Sequence, residues 1–175
     1  MSHVQPYGEP FYALPHCRLQ IVQGETEATR IGVSLAGMDP WRILGYPASA
    51  LTQYLLRPDL ALRRYAVLAP DGAVMGVIGV RYPWLRGPYL ELFGLFEAYQ
   101  GQGLGSELIE WFTDQARLTS ANAWVIVSAF NHGAYRFYQR HGFAEVGVLN
   151  DLARPGYDER LLRKILAPPV LAGGG

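Results

Sequence analysis

Cysteine is all but missing: Cys17 stands alone in 175 residues, which excludes an internal disulfide and any thiolate-rich metal cluster. An excess of one charge is missing too. Fifteen Lys and Arg balance fifteen Asp and Glu, so no net field draws nucleic acid or an anionic membrane to the chain. The basic clusters Arg63-Arg64 and Arg160 with Arg163-Lys164 are too short to form a nucleic-acid footprint. No run approaches the roughly 18 uninterrupted apolar residues that span a bilayer. The start MSHVQPYGEPFY lacks the basic and long apolar regions of a signal peptide, and a cytoplasmic protein is expected. Four histidines, His3, His16, His132 and His141, include no pair at ligand spacing within one element, so no metal is expected.

What the chain does have is apolar mass. Half of it is hydrophobic and 13% aromatic, enough for one substantial core and too little length for two domains. Residues 1–17 and 167–175 read as an N-terminal arm and a flexible C-terminal tail around a domain at 18–166. Arg18 to Gln23 alternates like a strand, and two helices follow at Glu25 to Leu35 and Ala48 to Leu56. Asp71-Gly72 divides two apolar runs as a hairpin turn does. A third strand, Tyr89 to Phe96, runs into a glycine-rich loop, and Leu104, Leu108, Trp111, Phe112 and Gln115 then recur at helical spacing. Ala123 to Phe130 reads as a buried strand. Asn131 caps a helix that Gly142 ends, and two strands at Phe143 to Leu149 and Arg160 to Leu166 flank the loop NDLARPGYD.

The loop Gln100-Gly101-Gln102-Gly103-Leu104-Gly105-Ser106 opens a helix, where main-chain N–H groups lack intrahelical partners and the dipole favours anions. It misses the dinucleotide pattern GxGxxG and the Gly-Lys-Ser/Thr of a Walker loop, the only lysine being Lys164. Gln100-x-x-Gly103-x-Gly105 resembles the Q/R-x-x-G-x-G/A pyrophosphate motif of the GNAT N-acetyltransferase family. Asn131-x-x-Ala134-x-x-x-Tyr138-x-x-x-Gly142-Phe143 is similar to its second signature. The resemblance covers about residues 18–166 and implies an α/β (α+β) acyl-CoA N-acyltransferase fold. That fold has a mixed, mostly antiparallel sheet of about seven strands with four flanking helices.

The same resemblance implies transfer of an acetyl group from acetyl-CoA to a primary amine by direct attack in a ternary complex. The coenzyme would lie on Phe93, Gly94, Leu95, the loop from Gln100 to Ser106, Asn131 and Tyr138. Tyr138 would protonate the departing thiolate. Many peptide-acetylating relatives carry a glutamate base on the strand before Asn131; here Ile126 takes that place, and Glu91, in an otherwise apolar strand where burial would raise its carboxyl, is the surviving carboxylate to deprotonate the ammonium. The acceptor, a small-molecule or peptide amine, would meet Trp41, Tyr46, Trp84, Arg86 and Tyr157, with Asp39, Asp151 or Asp158 to hold a cation. A monomer or homodimer is expected. The rival reading is a module that binds acyl-CoA as a sensor, without turnover.

Overall fold

Residues that alternate in polarity every second position give a strand two different faces, and this chain uses both faces of its sheet. The structure, a computed structural model, describes residues 5–167. The elements run β1 (Phe11–Ala13), β2 (Arg18–Ile21), α1 (Gly24–Ala36), α2 (Ala48–Leu56), β3 (Leu62–Leu68), β4 (Val74–Trp84), β5 (Gly87–Leu95), α3 (Leu104–Arg117), β6 (Asn122–Ser128), α4 (His132–Arg140), β7 (Ala144–Arg154) and β8 (Tyr157–Ile165). One eight-stranded sheet is ordered β1-β2-β3-β4-β5-β6-β8-β7. Neighbours are antiparallel except β5 and β6, which run parallel. On β3, Tyr65 and Val67 pack with Leu108 and Phe112 of α3, while Ala66 and Leu68 pack with Ile31, Leu35 and Leu55 of α1 and α2.

This alternation breaks once on β5. Gly79 of β4 faces Leu92 and its neighbour Val80 faces Leu90, so Glu91 is the extra residue of a β-bulge. Leu90 therefore belongs to the α3 side, Leu92 to the α1–α2 side, and Phe93 and Leu95 return to the α3 side.

The N-terminal residues differ from the expectation. Residues 5–17 are part of the fold: β1 pairs with β2, and Tyr7 is 1% exposed. The Tyr7 hydroxyl donates to the Phe112 carbonyl at 2.7 Å, and the Tyr65 hydroxyl donates to the Tyr7 carbonyl at 2.7 Å. The segment looks unpatterned because its partners lie 58 and 105 residues away. The loop expected at NDLARPGYD is mostly strand, since β7 and β8 are joined by a turn at Pro155-Gly156 with Gly156 at φ 85°. The proposed tail lies, from residue 168 on, outside the described residues. No described helix is long and apolar enough to cross a membrane.

A Cβ added to Gly76 would stand 2.3 Å from the Gly94 carbonyl oxygen, a backbone atom that cannot rotate away. Gly76→Val is expected to cost about 1–3 kcal/mol of stability. A lowered denaturant midpoint is the expected readout, and an unchanged one would show that β4 and β5 have room to spare.

Candidate active site

A bulge bends its strand and ends regular pairing. β5 and β6 share only the pairs Tyr89 with Trp124 and Leu90 with Val125, and form no further rungs. The gap beyond is a cavity of about 450 Å³, with Leu92 and Phe93 on one side and Val127 and Ser128 on the other. Trp41 and Tyr46 from the α1–α2 connection, Leu152 and Ala153 from β7, and Asn131 and Tyr138 of the α4 segment complete its wall.

The glycine loop lies past the open end of β5. Main-chain N–H groups of residues 101 to 106 donate to no backbone or side-chain oxygen among the described residues. Gly101 and Gly103 have φ of 72° and 83°, and nothing stands within 4 Å of where their Cβ atoms would be. An uncovered row of amides at a helix N-terminus can bind an oxygen-rich anion. The side chains of this stretch do other work. Gln100 Nε2 donates to the Leu95 carbonyl at 2.8 Å and Gln102 Nε2 to the Ala98 carbonyl at 3.1 Å, bracing the turn. Leu104 is core, and Ser106 Oγ lies 3.1 Å from His141 Nε2. Gly105 admits the Phe137 ring, which would stand 3.3 Å from an added Cβ. Gly94 likewise leaves space for Leu35 and Trp41.

Asn131 caps α4, its Oδ1 accepting from the Ala134 amide at 3.1 Å, and also lines the cavity. Tyr138 is 7% exposed, and its hydroxyl has no hydrogen-bond partner among the described residues. Burial, with Tyr89 nearby, pushes its phenol well above the ordinary range, so the hydroxyl keeps its proton at neutral pH.

Glu91 lines the cavity but is not the isolated carboxylate the sequence suggests. Its Oε1 accepts from the Tyr54 hydroxyl at 3.0 Å and from Arg81 Nη2 at 3.1 Å, while Oε2 accepts from Arg81 Nε. Arg81 also pairs with Asp59 at 3.1 Å. The carboxylate with capacity left is Glu159 of β8. It is 5% exposed and lines the same cavity, and its Oε1 accepts from Ser128 Oγ at 2.9 Å. Its Oε2 has no partner, and no cation pairs with it among the described residues. Glu159 faces Ser128 in register, two residues along from Ile126.

Two expected acceptor contacts lie elsewhere. Trp84 packs at a tilt on Tyr89 at 4.8 Å and meets Trp124 edge-on, and Tyr157 meets the Phe130 ring edge-on at 5.8 Å. Trp84 is the last residue of β4 and Tyr157 the first of β8, and neither lines the cavity. Arg86 is exposed, and its carbonyl accepts from Asn122. Asp39 pairs with Arg42, while Asp151 and Asp158 accept main-chain amides within the β7–β8 hairpin. Among the described residues no cluster of three or more His, Cys, Asp or Glu is placed to hold a metal.

Burial raises the Glu159 carboxyl above its ordinary range, with the Ser128 hydroxyl opposing. A group raised in the folded state contributes its full stability below the unfolded value, about 4.3, and loses it as pH climbs through the folded value. Glu159→Gln is therefore expected to melt higher than the parent near pH 8 and to lose that advantage near pH 4. An offset that does not change with pH would mean that the carboxylate is not desolvated.

The family model described as Acetyltransferase (GNAT) family matches residues 27–143. Among solved structures, nourseothricin acetyltransferase is 25% identical, covering 63% of this chain and 69% of its own with a TM-score of 0.56. A probable GNAT-family acetyltransferase from Chromobacterium violaceum is 18% identical, with 90% and 86% covered and a TM-score of 0.76. RimL, a ribosomal L7/L12 α-N-protein acetyltransferase in complex with coenzyme A, is 13% identical, with 87% and 95% covered and a TM-score of 0.68. No curated protein sequence matches the chain. Two sequence motifs on the expected elements, a family match over two thirds of the length and a shared fold agree: the chain belongs to the GNAT acetyltransferase family.

Proposed function

We propose that this chain is a cytoplasmic enzyme that moves the acetyl group of acetyl-CoA directly to a primary amine, with both substrates bound together. The observation carrying this reading is the run of unpartnered amides at 101–106 beside the gap between β5 and β6. Those amides fit the coenzyme's pyrophosphate, the edge of β5 at Phe93, Gly94 and Leu95 fits its pantetheine arm, and Asn131 borders the same space. Acetyl-CoA supplies an acetyl group already activated as a thioester.

The protein's part is proton handling and placement. Tyr138 presents a protonated hydroxyl to the departing sulfur as the C–S bond breaks and the C–N bond forms. Glu159, rather than Glu91, takes the proton of the amine: it has a free oxygen, and its raised carboxyl brings it nearer to working pH. Glu159 gains one proton and Tyr138 loses one, and solvent restores both. A covalent acyl-cysteine is disfavoured, because Cys17 sits outside the cavity with its thiol pushed up to about 12 by burial and by Glu107. A sensor without turnover would need neither an open carboxylate nor an unbonded phenol at the gap.

Gly103→Val places a side chain on a residue at φ 83° whose Cβ direction is open. Coenzyme A binding by calorimetry should be lost while the fold persists, and parental affinity would refute the cradle. Tyr138→Phe should lower kcat at least tenfold with coenzyme affinity retained, as expected for a group acting mainly in the transition state. Loss of coenzyme binding in that variant would instead make Tyr138 structural.

A further inference from the structure

Resting on the acetyltransferase reading, we infer that the acceptor is a small monoamine on an apolar, ring-sized body, carrying no carboxylate or phosphate. The cavity wall includes Trp41, Leu44, Tyr46, Tyr54, Tyr89 and Leu152. Flat aromatic walls bury an apolar body well and offer ring faces to an ammonium.

Charge narrows the class further. The lining holds two carboxylates and no Lys, Arg or His. Glu91 is occupied by Arg81 and Tyr54, which leaves Glu159 as the one unpaired charge of the lining among the described residues. Arg81 is paired with Glu91 and Asp59, and Arg154, held to the Gly45 carbonyl at 3.1 Å and against the Tyr46 ring, is not part of the lining. An amino-acid carboxylate would lose its hydration here, find no cationic partner and face Glu159. A polyamine would leave its second ammonium without a counter-charge. A peptide would bring amide groups into a wall with few partners for them. One ammonium on an apolar body leaves nothing unpaired.

The test sets phenethylamine against phenylalanine, spermidine and a neutral tripeptide. CoA release from acetyl-CoA and calorimetric binding of each amine to the CoA-loaded protein are both measured. The expected result is a kcat/KM for phenethylamine at least tenfold above the other three, with its binding weakened at least tenfold in Glu159→Gln. A carboxylate-bearing amine, polyamine or peptide used as well or better would overturn this substrate class and leave the acetyltransferase standing. CoA-loaded protein that binds none of the four would overturn it as well. Protein that fails to bind CoA would bring down the underlying reading, and this inference with it.

Discussion

The early parting of β5 from β6 is the constraint on which the site depends. Parallel strands normally continue their evenly spaced ladder; here the ladder stops after two rungs because β5 carries one residue too many. That residue, Glu91, is the one on which Arg81 and Tyr54 converge. Gly79 lets β5 approach closely beside the bulge, since a Cβ there would lie 3.0 Å from Leu92 Cβ. The ion pair therefore fixes the kink, and the kink holds open the gap in which the cavity lies.

Two glutamates border one cavity, and their neighbours give them different properties. Glu91 has donors on both oxygens, one of them a guanidinium, so it has little left to offer a ligand. Glu159 has a single hydroxyl donor and a buried position that disfavours its charge. Residue type alone cannot distinguish them; the distinction comes from what the adjoining strands and helix bring into range.

What sequence could reveal follows the range of the interaction. The Asp71-Gly72 hairpin, the Asn131 cap and the left-handed glycines at 101, 103 and 142 are written in a few consecutive residues, and they are present in the structure. The bulge is not visible in YLEL, because it exists only relative to the register of β4. Arg81 lies ten residues before its partner Glu91, across a hairpin whose register the sequence leaves open. Glu159 fell between an assumed loop ending at Asp158 and a strand starting at Arg160; carrying the alternation of Leu161 back one step would have placed it on a strand face. Trp84 and Tyr157, expected beside the acceptor, stand at strand ends and pack on Tyr89 and Phe130, contacts that their residue type does not reveal.

The burial of Tyr7 has a consequence in time. Its hydroxyl needs the Phe112 carbonyl, 105 residues further on, and its ring stacks on Phe112 and meets Trp111 edge-on. At about 5–20 residues per second, synthesis reaches Phe112 roughly 5–20 s after Tyr7. During that interval the aromatic segment has no α3 to pack on, and contacts of such long range are slow to form even in a complete chain. The Tyr7 segment ahead of β1 is thus secured only once α3 has been made, although β1 itself can pair with β2 from the start.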